Sequence, residues 1–275
     1  MFLLNGERRQ CIDIADRGFQ YGDGVFETIE VLNGKPLFLD RHLKRLEIGC
    51  HRLLIPIPDV TLLAQEALQL SATTQRAVLK LTVTRGSGGR GYQQPPQIHP
   101  TRLLSLYPFP DYPLHYQSNG VALRFCQQRL AINPSLAGIK HMNRLEQILA
   151  RAEWRNDVIQ EGLMLDYQEH VIEGTMSNVF LVKDGGIFTP KLSQCGVAGI
   201  VRELVLEFSR QHKLSCQEAE LDKQVFLWAD EVFITNSIIG IWPVNRLDVF
   251  SFNVGPVTRL LQKLFNSRRL AEDAQ

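Results

Sequence analysis

The chain has 275 residues, of which 44% are hydrophobic and 21% are charged. These values are ordinary for a folded globular protein and exclude an intrinsically disordered chain, which lacks the apolar surface to offset its ordering entropy. Thirty basic residues (Lys and Arg) nearly balance 29 acidic ones, for a net charge of +1. The sequence therefore lacks the basic excess that nucleic-acid-binding and peripheral membrane proteins need.

The sequence also bears on compartment and metal binding. No apolar run approaches the roughly 18 residues that cross a bilayer, and the N-terminal MFLLNGERRQ has no basic lead-in to suggest a signal peptide. Five cysteines are spread along the chain without a C-x-x-C pair, and the seven histidines lack metal-ligand spacing. We therefore expect a cytoplasmic protein with unpaired cysteines, no bound metal, and no membrane or nucleic-acid partner.

The first 107 residues predict a small α/β domain. VFETIEV (25–31) has the composition of a strand, and the Asn33-Gly34 pair that follows is typical of a two-residue hairpin turn. Asp40 is placed to cap a helix that runs to about Leu54. The other predicted elements of this domain are an extended KPLFL, a helix from Asp59, and strands over 78–85 and 102–107.

A proline-rich stretch separates this domain from the rest. PFPDYPLHY (108–116) holds three prolines in nine residues, and proline removes backbone donors and disfavours helix in the residue before it. We therefore predict an interdomain linker over 108–118 and a larger mixed domain over 119–275. The strands predicted in the larger domain are VALRFC, GLMLD, VIEG, SNVFLV, GIFTP, LSCQEAE and EVFIT; the helices cover about 143–155, 199–211, 221–228 and 255–267, before a solvated tail, SRRLAEDAQ.

A glycine-rich segment, Gly86-Ser87-Gly88-Gly89-Arg90-Gly91, fits the G-x-G-x-x-G spacing of dinucleotide sites. Such a site needs the last glycine to open a helix whose N-terminus holds the pyrophosphate. The continuation YQQPPQIHP contains three prolines, which exclude that helix. Two interpretations remain open: a flexible turn, or a mobile loop whose Arg90 and Tyr92 meet an anionic substrate.

One lysine lies in a sequence context suited to covalent chemistry. Lys140 stands between a proline-containing loop and an amphipathic helix, in LAGIKHMNRLEQIL. The apolar flank of Gly138 and Ile139 favours a neutral, nucleophilic amine, which is the condition for a Schiff-base lysine. Taken alone, the lysine is better explained as an exposed residue before a helix, which is the commoner case.

Other parts of a cofactor site accompany this lysine. Arginines and a lysine (Arg41, Lys44 and Arg45) lie on the helix that begins near Asp40. Glu173 lies in HVIEGTMSNVF, and CGVAGIVREL (195–204) places a glycine before a helix N-terminus, which is a ready anion site. A lysine, a carboxylate, an arginine and an anion-binding helix end are together the groups that a pyridoxal phosphate site requires.

Several segments carry a family resemblance: RGFQYGDGVFET (17–28), DRHLKRL (40–46), VIEGTMSNVF (171–180), GVAGIVRE (196–203) and DEVFITNS (230–237). In their order and their sequences, these segments resemble those of the fold type IV pyridoxal phosphate enzymes, a class IV aminotransferase-like family, and the resemblance covers nearly the whole chain. Within that family, RGSGGRGY (85–92) and NPSLAGIKHMNRLEQ (133–147) are similar to the aminodeoxychorismate lyases. The resemblance implies a mixed α/β fold of two domains, one small and one larger with a pseudobarrel core, in a homodimer.

Carried over position by position, the resemblance implies a role for each site residue. Lys140 forms the Schiff base with pyridoxal 5'-phosphate and carries the proton, and Glu173 pairs with the pyridine nitrogen. Thr28 supplies a hydroxyl on the substrate side, where Arg90 and Tyr92 are our candidates for binding the substrate carboxylates. The implied phosphate contacts are Arg45, the backbone amides of Ile200 and Val201, and polar groups of Asn236 and Ser237, a pair that stands where some relatives have Gly-Thr.

The resemblance also implies a reaction in folate biosynthesis. The C4 proton of 4-amino-4-deoxychorismate is removed and the enolpyruvyl group is eliminated, which yields 4-aminobenzoate and pyruvate. Two other functions remain open. One is a D-amino-acid or branched-chain aminotransferase, which needs a keto-acid acceptor to turn over. The other is a non-catalytic protein that binds pyridoxal phosphate or a small anion, an interpretation that the filled catalytic positions disfavour.

Overall fold

A computed structural model describes residues 1–155 and 157–274 of the chain. The chain divides into two compact units. The first unit comprises Met1–Pro110, Ile139–Asn143 and the chain end from Ala271, and the second comprises Asp111–Gly138 and Arg144–Leu270. The short segment that carries Lys140, which the sequence analysis groups with the larger domain, therefore clusters with the first unit.

The first unit is built on a five-stranded sheet in the order β1-β5-β4-β2-β3, with every neighbouring pair antiparallel. Asn33 and Gly34 both have positive φ, as the predicted hairpin turn requires. The strands are β1 (Phe2–Leu4), β2 (Gly24–Leu32), β3 (Lys35–Pro36), β4 (Arg76–Thr84) and β5 (Thr101–Pro108); the helices are α1 (Arg17–Tyr21), α2 (Leu39–Arg52) and α3 (Val60–Ser71).

Strand β2 presents alternate residues to the two faces of this sheet. Val25, Ile29 and Val31 are buried in one core cluster with apolar side chains of α2 and α3. Phe26 and Thr28 alternate with them and therefore belong to the opposite face. One residue breaks the apolar pattern of the inner face: Glu27, which is only 1% exposed.

The second unit contains a nine-stranded sheet in the order β11-β10-β9-β12-β13-β6-β7-β8, with β14 paired to β13. Its core is a continuous cluster of aliphatic residues from the central strands, joined by Phe226 and Trp242. The strands are β6 (Val121–Leu130), β7 (Glu161–Asp166), β8 (Val171–Gly174), β9 (Asn178–Lys183), β10 (Gly186–Pro190), β11 (Cys216–Ala219), β12 (Glu231–Asn236), β13 (Gly240–Leu247) and β14 (Phe250–Ser251); the helices are α4 (His115–Asn119), α5 (Leu145–Arg151), α6 (Ile200–Gln211), α7 (Lys223–Leu227) and α8 (Pro256–Ala274).

The strands and helices predicted from the sequence are present, with local differences. Asp40 is not the cap of α2, because the chain turns sharply at Phe38 (φ 53°) and the helix begins at Leu39, which leaves Asp40 inside the first turn. KPLFL is extended only over its first two residues for the same reason. The predicted tail is helical as far as Ala274, since no Gly or Pro interrupts α8; Gln275 lies outside the described residues.

No helix in the described part of the chain combines the length and the apolar character needed to cross a membrane.

Candidate active site

Lys140 is attached to the edge of β2 by backbone pairing within the first unit. The Phe26 amide donates to the Lys140 carbonyl at 3.0 Å, and the Met142 amide donates to the Gly24 carbonyl at 2.9 Å. Gly24 is required here, because a Cβ would lie 2.5 Å from the Val83 carbonyl oxygen and 2.7 Å from the Met142 sulfur. The pairing places the lysine backbone in a defined register with the strand that also carries Thr28.

The Lys140 side chain follows the outer face of the sheet. Its Nζ lies 4.5 Å from the centroid of the Phe26 ring, a cation–π distance. Thr28 is two residues further along β2 and is half-buried on the same face, opposite Lys80 of β4. The structure therefore brings the predicted lysine and the predicted substrate-side hydroxyl to one face of one sheet.

Arg45 of α2 is bound to the buried carboxylate of Glu27. The Arg45 Nε donates to Glu27 Oε1 at 2.8 Å and the Arg45 Nη2 donates to Glu27 Oε2, so the two side chains form a bidentate ion pair. His42, one turn earlier on α2, places Nδ1 2.6 Å from Glu27 Oε2 and is fully buried. This Glu27–His42–Arg45 triad holds the guanidinium in one orientation, which is compatible with the predicted role of Arg45 in binding a phosphate.

The charges of the triad set its protonation. Burial alone would raise the pKa of Glu27, but the Arg45 charge and the hydrogen bonds from Arg45 and His42 outweigh it and lower the pKa from 4.5 to about 2. Burial lowers the pKa of His42, and the charges of Arg45 and Lys140 lower it further against the opposing effect of Glu27. At neutral pH the triad therefore holds an ionised Glu27 and a neutral imidazole.

A neutral His42 that donates from Nδ1 to Glu27 has an acceptor at Nε2. That atom is buried and has no hydrogen-bond partner among the residues that the structure describes. Most buried polar atoms in proteins are satisfied, so an unsatisfied nitrogen beside the charges of Arg45 and Lys140 fits a cluster that a polar ligand completes.

Glu173 lies in β8 of the second unit and is buried. Its Oε2 accepts a 2.7 Å hydrogen bond from the backbone amide of Val197, in the loop that leads into α6. Asn178 holds the same loop from the other side, because its Nδ2 donates to the Val197 carbonyl at 2.8 Å. The predicted ring-nitrogen partner is thus connected through one loop residue to the helix that carries the predicted phosphate amides.

Ile200 and Val201 are the first two residues of α6, and Gly199 at the N-cap provides no side-chain cap. The amides that open a helix lack intrahelical acceptors and carry partial positive charge, so they suit an anion. Gly199 is required at this point, because a Cβ would lie 2.1 Å from the Asn178 side-chain oxygen. The sequence prediction of a glycine before a helix N-terminus is confirmed; its phosphate remains a prediction.

Asn236 ends β12 and Ser237 follows it, half-buried. The Asn236 Oδ1 accepts hydrogen bonds from the amides of Ile238 and Ile239 at 2.8 and 2.9 Å. Its Nδ2 donates to the Met176 carbonyl at 3.1 Å. Asn236 therefore shapes the turn after β12 and ties it to the turn after β8.

Arg90 and Tyr92 stand on the glycine-rich loop of the first unit, and both are exposed. No helix follows the glycines, as the prolines predict. Arg17 anchors the loop, because its Nη1 donates to the Gly91 carbonyl at 3.0 Å and it pairs with Asp23. Tyr92 packs edge-on against Tyr21 at 5.8 Å. Their role in binding substrate carboxylates remains a prediction.

The structure groups the predicted residues into two sets. The first unit holds the lysine, the arginine and the Thr28 hydroxyl, and the second holds Glu173, the α6 N-terminus and Asn236. Sequence reasoning missed Glu27 and His42. A signal for both was present, because a glutamate at an inward-facing position of an apolar strand needs a buried cationic or hydrogen-bonding partner, and α2 offers His42 and Arg45 one turn apart.

Comparisons with known proteins bear on the family and the fold of the chain. The sequence profile of the amino-transferase class IV family matches residues 24–247. The chain is 39% identical to aminodeoxychorismate lyase from Vibrio harveyi, over 97% of this chain and 100% of the relative, and 31% identical to D-alanine aminotransferase from Bacillus licheniformis, over 99% and 98%. The crystal structure of 4-amino-4-deoxychorismate lyase from Pseudomonas aeruginosa superposes with a TM-score of 0.94 at 46% identity, covering 97% of this chain and 98% of that one, which confirms the predicted mixed α/β fold.

Proposed function

The chain belongs to the amino-transferase class IV family, and we propose that it is a pyridoxal 5'-phosphate-dependent lyase that converts 4-amino-4-deoxychorismate into 4-aminobenzoate and pyruvate. The observation that carries the proposal is similarity to lyases of that name at 39% and 46% identity over nearly the full length. The lyase-like sequence of residues 133–147, which include Lys140, supports the proposal, because this segment would lie beside the reacting groups. Such an enzyme would serve folate biosynthesis in the cytoplasm, as a homodimer.

The residues present fit the cofactor. Lys140 would hold it covalently, while Arg45 and the amides of Ile200 and Val201 would bind its phosphate. The ion pair with Glu27 keeps the Arg45 guanidinium in one orientation. Asn236 and Ser237 would add polar groups to the phosphate site. The Asn236 Nδ2 donates one of its two hydrogens to the Met176 carbonyl, which leaves the other for a ligand, and Ser237 offers its hydroxyl.

When bound, pyridoxal phosphate supplies an electron sink for a carbanion formed beside the substrate amine. Lys140 Nζ, over the apolar Phe26 ring, takes the proton from C4 of the substrate. Glu173, buried and held by the Val197 amide, provides the negative charge that keeps a proton on the ring nitrogen. The electron pair left at C4 then expels the enolpyruvyl oxygen from the neighbouring ring carbon, so the ring becomes aromatic, and the enolpyruvate takes up the proton that Lys140 removed from C4 and leaves as pyruvate.

Substrate recognition falls to the first unit in this proposal. Thr28 shares the face of Phe26 and Lys140, so its hydroxyl is available to a substrate bound there. Arg90 and Tyr92 supply a charge and a phenol for the two substrate carboxylates. The Arg17 contact to Gly91 sets the start of the segment that carries Tyr92.

The test is product analysis with purified protein and added pyridoxal phosphate. We expect 4-amino-4-deoxychorismate to yield 4-aminobenzoate and pyruvate in equal amounts with no keto acid present. D-alanine or L-leucine with 2-oxoglutarate should turn over far more slowly. Brisk amino-group exchange without 4-aminobenzoate would favour the aminotransferase alternative, and a protein that binds the cofactor without either reaction would favour the non-catalytic one.

A further inference from the structure

Glu161, the first residue of β7, is a buried carboxylate on which five hydrogen-bond donors converge. Its Oε1 accepts from the Gly162 amide at 2.9 Å, from the Thr175 amide at 3.0 Å and from the Thr175 hydroxyl at 2.6 Å. Its Oε2 accepts from the Met176 amide at 3.1 Å and the Ser177 hydroxyl at 2.8 Å. A group that only accepts suits this ring of donors, as an ionised carboxylate does.

Four of these donors come from one turn, residues 174–177, which joins β8 to β9. The turn closes on itself through a 2.6 Å hydrogen bond from the Gly174 amide to the Ser177 carbonyl. Gly174 must lack a side chain, because a Cβ would lie 2.3 Å from Ser177 Oγ and 2.8 Å from Glu161 Oε2. The carboxylate therefore occupies the centre of the turn and satisfies amides that point away from the strand ladder.

The turn stands next to the residues assigned to the cofactor in the second unit. Glu173 immediately precedes it. Asn178 immediately follows it and holds the loop before α6 by its hydrogen bond to Val197. The carbonyl of Met176, at the tip of the turn, accepts the hydrogen bond from Asn236. A shift of the turn would therefore move Glu173 and the Asn236 contact together.

We propose that Glu161 is a positioning residue for the cofactor site: its carboxylate holds the 174–177 turn in the shape that aims Glu173 at the ring nitrogen and keeps Asn236 in place. The inference rests on the proposed function, since it assigns Glu161 to the same cofactor. Glu161 acts through the turn and needs no contact with the cofactor itself.

The matched control is Glu231, in the same unit. It is also a buried glutamate at the first position of a strand, and it accepts hydrogen bonds from the amides of Val257 and Thr258 at the start of α8, at 3.1 and 2.7 Å. A Cβ at Gly255 would lie 2.1 Å from the carboxyl carbon of Glu231, so this side chain is also tightly packed against a glycine. Glu231→Gln and Glu161→Gln thus make the same chemical change at two buried carboxylates that accept hydrogen bonds from backbone amides, and only Glu161 contacts the turn.

Three measurements separate the two variants. In the cofactor-free protein, Glu161→Gln should speed hydrogen exchange at the amide of Thr175 or of Met176 by about tenfold or more, because glutamine keeps only one of the two accepting oxygens and turns an NH2 donor toward the other amide. Titration with pyridoxal phosphate should show affinity weakened by about tenfold or more. The visible circular dichroism of the bound cofactor should also change. Glu231→Gln should leave these three properties at wild-type values, although both variants lose stability.

The outcomes are distinct. A Glu161→Gln protein with wild-type exchange, cofactor affinity and dichroism overturns the inference and leaves the proposed function intact. A wild-type protein that fails to bind pyridoxal phosphate overturns the proposed function and, with it, this role. If Glu161→Gln does not fold, Thr175→Val removes only the 2.6 Å hydroxyl contact and should shift the same three properties in the same direction by a smaller factor; unchanged values there overturn the inference.

Discussion

Replacing Glu27 with glutamine tests whether the buried triad is as strongly coupled as its geometry indicates. Glutamine keeps the shape of the side chain but removes the negative charge, so the guanidinium of Arg45, 12% exposed, would lose its ionic partner. The imidazole of His42 stays neutral, because the substitution removes the group that raises its pKa. The substitution therefore measures what the ionised carboxylate contributes through its ion pair with Arg45 and its hydrogen bonds with Arg45 and His42.

The magnitude follows from the pKa of Glu27. Lowering it from 4.5 to about 2 corresponds to about 3 kcal/mol of preferential stabilisation of the ionised carboxylate in the folded chain. Breaking a buried pair costs about 3–5 kcal/mol by general experience. Since the folded pKa is the lower one, this stability is present above pH 4.5 and is lost as the pH falls toward about 2. The gap between wild type and variant should shrink over that range.

The assay must report on the first unit, and the three tryptophans (Trp154, Trp228 and Trp242) all lie in the second. Hydrogen exchange at core amides of β2, such as Ile29, in the cofactor-free protein therefore replaces fluorescence. Glu7→Gln is the control, because Glu7 pairs with Arg9 at the surface of the same unit and should contribute less than about 1 kcal/mol. A loss of stability for Glu27→Gln that is no larger than that of Glu7→Gln, or that does not depend on pH, would mean that the buried carboxylate of Glu27 is not strongly coupled to Arg45 and His42.

Three further substitutions probe the cofactor and substrate residues. Arg45→Ala should weaken pyridoxal phosphate binding by about ten- to a hundredfold in a titration, while Lys44→Ala, on the exposed side of α2, should match wild type; equal affinities would remove Arg45 from the phosphate site. Glu173→Gln should bind the cofactor but lower the turnover number by orders of magnitude, and near-normal turnover at saturation would contradict its role. Thr28→Val should lower the lyase rate more than cofactor affinity, whereas an unchanged rate would make Thr28 a packing residue.

The fold was predictable from the sequence where apolar patterns were regular. Strand β4 follows an alternation of apolar and polar residues and β9 is a short apolar run, and α3 begins directly after Asp59, where the sequence predicts its start. The structure adds that the Asp59 side chain caps this helix. Strand β13 was missed because Pro243 interrupts it. Pairing with β6 begins only at Val244, one residue beyond the proline, so the strand tolerates a residue without an amide proton at that point.

The helical end of α8 depends on contacts that no local pattern reveals. Asp273 accepts a 2.8 Å hydrogen bond from Asn33 at its side chain and a 2.7 Å hydrogen bond from Lys35 at its carbonyl. These partners are more than 230 residues away in the chain, and both belong to the β2–β3 hairpin region of the first unit. A polar C-terminal stretch whose composition permits a helix is therefore also held by tertiary contacts.

The candidate site was likewise predictable from the sequence only in part. Lys140 and Glu173 were identifiable through a family resemblance, and their roles stay predictions that the experiments above address. The partners that orient Arg45 were recognisable in principle from the charge on an apolar strand face. Glu161 carried no signal, because one acidic residue at the start of a strand is commonplace, and its importance depends on a turn that reaches back to it from 14 residues later.

Borohydride reduction tests whether Lys140 carries the cofactor. Reduction converts a lysine–cofactor linkage to a stable secondary amine, which peptide mapping locates by mass. We expect the visible absorbance of the protein loaded with pyridoxal phosphate to disappear on reduction and the label to be found on Lys140. Label on another lysine, or none on a protein saturated with pyridoxal phosphate, would contradict this role for Lys140.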